Sequence, residues 1–413
     1  MILVRVPIAE RISLEELRRR VGRQPASPPP FSAERVALAV DLGRRIMADA
    51  ETKAVPALRA LAFWMRAAEV HRLREEFAKL SDAAVVSVPR GTVLHFPPTN
   101  VDTLFVYSWL LAMLTGNGNV VRLSSRAGPQ ADMLLRLINA ALTDADPRLR
   151  DETLIVQYEH DAATTAALSA ACDVRVVWGG DASVAAIRGV PLPPRAIELA
   201  FPDRFSFAAL RASAVHDLDD GGIELLADRL FNDTYWFDQM GCSSPRVVVW
   251  LGSSAEVELA ATRLWREVGR RITARGYTVE TGTAIAKMTF AHRAVLDGTT
   301  THVSWHTNEL AVLAVEPGAK FSREHPGGGT LMEMRVSQLE EIIPTLSPRD
   351  QTLAHFGFSR EELVSWVSAA GASSFDRLVP IGEALRFDRL WDGYDLLAQF
   401  TRRVRVAGSL ELR

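Results

Sequence analysis

Two stretches near the start of the chain, "SAERVALAVDLGRRIMADAE" and "VPALRALAFWMRAAEVHRLREEFAKL", repeat apolar residues at i, i+3 and i+4. That is the period of an amphipathic helix. The run "RQPASPPPF" before them reads as a loop, because consecutive prolines cannot continue a helix. Residues 1–80 are therefore expected to form a helical segment. From there the pattern alternates. "AAVVSV", "TVLHF", "GNVVRLS", "ETLIVQYE" and "VRVVWGG" are short apolar runs with the look of strands, and "VDTLFVYSWLLAML", "GPQADMLLRLINAALTDA", "DAATTAALSAA" and "DASVAAIR" read as helices between or after them. Such alternation predicts parallel strands joined by crossover helices. Open sheets of this kind bind ligands beyond the carboxyl ends of their strands.

The pattern restarts after about residue 210 with the strand "PRVVVWLG" and the helix "SSAEVELAATRLWREVGRRITA", whose Ser253 and Glu256 have capping-box spacing. A second α/β lobe is expected there, spanning 211–380, after a first lobe at 81–210. The tail 381–413, with "RFDRLWDGYDLLAQFTRRVRVAGSLELR", is expected to add one more helix and a last strand. At 413 residues the chain has room for two such domains.

Composition narrows the function classes. The chain is 48% hydrophobic and 23% charged, as in soluble globular proteins, and its net charge of −3 gives no reason to expect nucleic acid. No window predicts a membrane span, since the longest apolar stretch is broken by Ser108 and ends in glycine. The N-terminus lacks a signal-peptide layout. Two cysteines, Cys172 and Cys242, make no disulfide framework, so a reducing cytoplasm is expected.

One of those cysteines sits oddly. In "FDQMGCSSPRVVVW", Cys242 lies in a polar turn beside Gln239, Ser243 and Ser244, just before a strand that reads as fully buried. A structural cysteine belongs inside the strand as a small hydrophobe; the mouth of a strand is a place for a nucleophile. Cys172, in "AACDVRVVW", has an apolar setting and reads as structural. "GNGNVV" at 116–121 is no dinucleotide fingerprint, because the third glycine is missing and the run precedes its strand.

The segment "GTVLHFPPTNVDTLFVYSWLLAMLTGNGNVVRLSSRAGPQ", the later "VVWGGDASVAAIR" and the nucleophile segment "QMGCSSPRVVV" together resemble the aldehyde dehydrogenase superfamily. With "WGGD" upstream and "WDGYDLLAQFTR" at the end, the flavour is similar to acyl-CoA reductases of the LuxC type, from about residue 80 to the tail. The resemblance implies an α/β, aldehyde dehydrogenase-like fold: a Rossmann-like cofactor lobe, a catalytic lobe and a cleft between them. It implies that Cys242 attacks a thioester and holds the acyl group, with Asn100 of "FPPTN" as an oxyanion donor. Phe96, Pro97, Pro98 and Thr99 would border the cofactor. Arg122 stands where the superfamily usually has a ribose-binding lysine. The strand then runs into Ser124, with Ser125 and Arg126 where NAD-using relatives often carry a glutamate. Charge there favours NADPH over NADH. Gly179 and Gly180 would let backbone approach the pyrophosphate at a helix start. Ser183 is a further contact candidate, and Asp181, a departure from the serine often found in relatives, is read as a helix cap. The implied partners are an acyl-CoA or acyl-carrier protein substrate, an acyl-donating partner enzyme and a second copy of the chain.

Each residue also has a plainer reading. Asn100 could be a turn asparagine, Arg122 and Arg126 solvated charges, His95 a core histidine, and Tyr235, Trp236 and Phe237 plain core rather than an acyl channel. Glu198 keeps the Glu-Leu pair of the superfamily's water-activating segment, but "IELAFPDRFSF" has lost both glycines, so it is not expected to act as a base. His302, His306 and Glu309 would suit a metal on a helix, yet Val303 and Trp305 alternate as in a strand. The expected activity is reduction of an acyl thioester to an aldehyde. An acyltransferase using the same acyl-cysteine, and a non-catalytic acyl-binding scaffold, are the alternatives.

Overall fold

The computed structural model describes residues 2–21, 28–98, 101, 103–125 and 127–407. Two compact units emerge: Met1–Pro202 together with Phe387–Arg413, and Asp203–Arg386. The first division falls earlier than the pattern suggested, because the strand that opens the second unit starts at Phe205 and pairs entirely within it.

The first unit is built on a seven-stranded sheet. Its strands are β1 (Ile2–Val6), β2 (Glu10–Ile12), β4 (Thr92–Phe96), β5 (Gly118–Leu123), β6 (Thr153–Gln157), β7 (Val174–Trp178) and β8 (Ile197–Phe201), while β3 (Val85–Pro89) lies outside it. The spatial order is β2-β1-β6-β5-β4-β7-β8. The five strands from β6 to β8 are parallel, and β1 is antiparallel to β6. The residues before 81 are thus not all helical. "ILVRV" alternates buried and half-buried positions, the period of a strand. The second predicted helix is two, Pro56–Trp64 and Ala67–Ala78. Helix Leu104–Leu114 is apolar almost all round, so it is buried along its whole length.

The second unit holds β9 (Phe205–Arg211), β10 (Pro245–Leu251), β11 (His302–Thr307), β12 (Leu310–Val315), β13 (Thr330–Val336), β14 (Asp350–Phe356) and β15 (Arg377–Pro380). They are ordered β11-β12-β13-β10-β9-β14-β15, parallel except for the β11–β12 hairpin. β10 is buried at every residue in the middle of this sheet. Helix Ser254–Arg275 begins with the predicted capping box and ends at Gly276.

The tail returns to the first unit. β16 (Leu390–Trp391) and β17 (Tyr394–Asp395) form a hairpin whose turn, Asp392-Gly393, takes left-handed backbone at both residues. "WDGYD" is therefore a turn motif. It buries Trp391 near Tyr107, with ring centroids 5.8 Å apart. The last strand, β18 (Thr401–Arg405), pairs with β3. Among the described residues no helix is long and apolar enough to cross a membrane.

Candidate active site

In the first unit the chain runs from β4 outward through β5 to β6, then crosses back to place β7 on the other side of β4. The carboxyl ends of β4 and β7 therefore flank a topological switch point, where open α/β sheets hold ligands. The expected cofactor residues gather there. Phe96 ends β4 opposite Val177 of β7, and Pro97 and Pro98 follow it. Ser124 and the exposed Ser125 follow β5, and Gly179 and Gly180 follow β7. Thr99, Asn100 and Arg126 lie outside the described residues.

Gly179 has a φ of 155°, and a Cβ there would reach to 3.4 Å from that of Ser183. Gly180, not Asp181, is the N-cap of helix Asp181–Arg188, and it makes no side-chain cap hydrogen bond. Asp181 is instead the first helical residue, where a carboxylate suits the positive end of the helix. The Ser183 and Val184 N–H groups donate to the Gly180 carbonyl at 2.9 Å and 3.0 Å, which closes the first turn of the helix. Arg122 turns to the neighbouring strand end: it donates to the Tyr158 carbonyl at 3.0 Å and stands 5.1 Å from that ring's centroid.

Several plainer readings hold. His95 is fully buried; its Nε2 donates to Asn119 Oδ1 at 2.9 Å and its Nδ1 accepts from Ser108 Oγ at 2.8 Å. Burial holds its pKa down at about 4. Burial likewise pushes the Cys172 thiol up to about 12. Glu198 is clamped: one carboxylate oxygen accepts from Arg175 Nε and the other from Arg188 Nε, both at 2.7 Å. Both oxygens are committed to guanidinium groups, which is no arrangement for a poised base. His302 and His306 lie on β11, where residues four apart stand ~13 Å apart, too far to share a metal.

In the second unit Cys242 lies just before β10, at the amino-terminal edge of the parallel strands. It is half-buried, within a turn closed by Ser244 N–H to the Gly241 carbonyl at 3.1 Å. The Cys242 carbonyl accepts from Ser206 Oγ at 2.7 Å, and Ser243 Oγ donates to Gln351 Oε1 at 2.9 Å. The turn is thus tied to the starts of β9 and β14.

The approach to the turn is strained. Phe237, Asp238 and Gln239 have φ values of 57°, 53° and 64°, three successive non-glycine residues in left-handed backbone. Such residues cost roughly 1–2 kcal/mol each and persist only where their surroundings over-determine them. Here the buried Gln239 amide donates to the carbonyls of Pro245 and Thr330, both at 2.8 Å, and accepts from Thr330 N–H at 3.0 Å. Tyr277 donates to the Asp238 carboxylate at 3.0 Å, and Gly328 N–H to the Asp238 carbonyl, also at 3.0 Å. Tyr235 is core, stacked on Phe231 with its hydroxyl on the Glu309 carbonyl, so it lines no channel; Trp236 and Phe237 are half-buried.

Residues 66–403 match the acyl-CoA reductase (LuxC) family. The chain belongs to that family. A long-chain acyl-protein thioester reductase from Aliivibrio fischeri is 24% identical over 342 residues, which cover 80% of this chain and 66% of that protein. The chain thus spans just under two thirds of that relative. Solved structures show the fold. Aldehyde dehydrogenase 21 from Physcomitrella patens superposes with a TM-score of 0.67 at 11% identity, over 97% of this chain and 92% of that one. Glyceraldehyde-3-phosphate dehydrogenase from Methanocaldococcus jannaschii, complexed with NADP, gives 0.61 at 12%, over 95% and 92%. The fold is aldehyde dehydrogenase-like.

Within this LuxC-family chain, sequence reasoning passed over the residues behind the cysteine. The "HPGGGT" loop follows β12. It is packed against the strained approach, and a Cβ on Gly329 would fall 1.9 Å from the Glu309 carbonyl oxygen. His325 in that loop is half-buried. Its Nε2 donates to the Thr330 carbonyl at 2.9 Å and its Nδ1 accepts from Gly327 N–H at 3.1 Å, so the ring is neutral. Burial, helped by Arg246 and Lys287, pushes its pKa well below the usual range. Three glycines in a row were the available signal, since only glycine takes successive positive φ at little steric cost.

Proposed function

We propose that this chain reduces an acyl thioester to an aldehyde through a covalent acyl-cysteine on Cys242. The observation that carries the reading is the partly accessible cysteine in a turn pinned at Ser206, Gln351 and, through its approach, Gln239. Fixing the backbone holds a nucleophile ready without reorganisation. In its thiolate form the sulfur attacks the acyl carbonyl carbon, the donor's thiol departs, and a new thioester joins acyl group and Cys242. A thiolate is both a strong nucleophile and a good leaving group. After reduction the sulfur carries a thiohemiacetal, whose collapse releases aldehyde and restores the thiolate. Asn100 and the Cys242 backbone N–H are proposed to hold the oxyanion.

The switch point of the first unit suits a dinucleotide. Phe96, Pro97, Pro98 and Thr99 would border it. Gly179, Gly180 and Ser183 would receive its pyrophosphate at the start of the helix, and Arg122, Ser124 and Ser125 its ribose. When bound, a reduced nicotinamide supplies the hydride. With no acidic residue at Ser125, NADPH is favoured over NADH. The double ion pair on Glu198 supports an acyl-enzyme that water does not quickly hydrolyse. The substrate class is an acyl-CoA or acyl-carrier thioester, passed on by an acyl-donating enzyme, and the setting a reducing cytoplasm with self-association of the chain.

Incubation with a long-chain acyl-CoA and NADPH tests the reading. Oxidation of NADPH with aldehyde formation, abolished in Cys242→Ala, is expected. A stable adduct without oxidation would point to the acyltransferase, and no adduct to a scaffold.

A further inference from the structure

Arg246, the second residue of β10, is only 9% exposed. A guanidinium stays charged in proteins, and a charge withdrawn from water is costly unless a counter-charge or a full set of hydrogen bonds answers it. Arg246 has little of either. Among the described residues it makes no salt bridge. Its side chain donates to the Arg204 carbonyl at 3.1 Å, while its buried Nε has no partner.

A neighbour shows what this fold does with a structural cation. Arg323 shares the Phe205 ring with Arg246, at 5.1 Å and 5.3 Å from the centroid. Yet Arg323 is held by both oxygens of Asp350, at 3.0 Å and 2.7 Å. The same ring thus carries one neutralised guanidinium and one without a carboxylate on it.

Arg246 and Cys242 bracket the same short piece of chain. The Cys242 carbonyl rests on Ser206 Oγ, and the Arg246 guanidinium rests on the Arg204 carbonyl and against Phe205. We propose that Arg246 is a positioning residue for Cys242: the buried cation that favours its thiolate over its thiol. Consistent with this, burial pulls the guanidinium below its usual range while the charges of Cys242 and then Asp203 push it back up. Other groups that can carry positive charge stand around this cluster and are occupied otherwise. His325 is neutral, Arg323 is paired with Asp350, and the Lys287 ammonium is bound by the carbonyls of Asn308 and Gly328.

The inference rests on the acyl-cysteine reading for its purpose. Thiolate favours attack on the thioester. Once the sulfur is acylated, Arg246 has lost that anion, so its charge also favours the return of thiolate when the thiohemiacetal collapses.

The test is the pH dependence of Cys242 alkylation by iodoacetamide, in which the thiolate displaces iodide. Cys242→Ala serves as the blank, because Cys172 is buried with a raised pKa. The native midpoint is expected below ~8.5, the ordinary value for a free thiol. Arg246→Met should raise it by about one unit, tenfold less thiolate at a given pH, and Arg246→Lys should retain most of the depression. A native midpoint at or above ~8.5 overturns the proposal whether or not the variants fold, as does an unchanged midpoint in a folded Arg246→Met. Mass measurement after acyl-CoA treatment separates this from the underlying reading. A low midpoint with no acyl adduct would sink the acyl-cysteine and spare Arg246, whereas an adduct with an ordinary midpoint would sink Arg246 alone.

Discussion

At the scale of single residues, the account turns on which polar groups are committed and which are not. Glu198 is committed to Arg175 and Arg188. Glu198→Gln should therefore leave the hydrolysis rate of the acyl-enzyme within a few-fold of native; a general base would lose roughly a hundredfold or more. Quenched time courses of the adduct decide it. His95 is committed too, and carries a pH signature. Its pKa is about 4 in the fold, below the ordinary ~6.5. A depressed pKa gives stability that is full above ~6.5 and lost as pH falls toward 4, worth about 3 kcal/mol. Melting curves of native protein should drop over that window. His95→Gln, with no proton to take up there, should have a shallower slope. The legible residues were those whose chemistry is local: Cys242 at a strand mouth, His95 and Cys172 within apolar runs. Arg246 was illegible because its meaning lies in missing partners, and in so arginine-rich a chain "PRVVVW" carries no sign of them.

At the scale of elements, most of the α/β alternation could be read from periodicity, and the Ser253–Glu256 box marked a helix start that the structure has. The failures have physical causes. β2 is a three-residue edge strand, and β1, which pairs with it, takes its other partner β6 from far along the chain, so little nearby announced them. The break between helices Pro56–Trp64 and Ala67–Ala78 has no glycine or proline. It comes from tertiary packing, where Met65 leaves helical geometry and sits close against Gly43. The turn before Cys242 was legible as polar, but its three left-handed residues are imposed by Gln239 and the glycine loop rather than by local preference. That dependence is testable. Gly329→Ala would set a methyl into the Glu309 carbonyl at a φ of 71°, costing ~3 kcal/mol or more. Denaturant unfolding should show the loss, and Cys242 alkylation should change with it. Native-like values for both would contradict the buttress.

At the scale of the molecule, the chain pairs a switch-point sheet in one unit with a cysteine at the amino-terminal edge of the sheet in the other. The dinucleotide reading predicts that ligand stabilises the fold by mass action, ~2.7 kcal/mol at a hundredfold excess over Kd. NADPH should raise Tm more than NADH at equal concentration, and the reverse order would reject the charge argument at Ser125. The central claim is the acyl-cysteine itself. Its most direct measurement is peptide mass mapping after acyl-CoA is added, first alone and then with NADPH. The account predicts one acyl group on the peptide holding Cys242, discharged on reduction with one aldehyde per NADPH consumed. Acylation elsewhere, or aldehyde formed by Cys242→Ala, would contradict it.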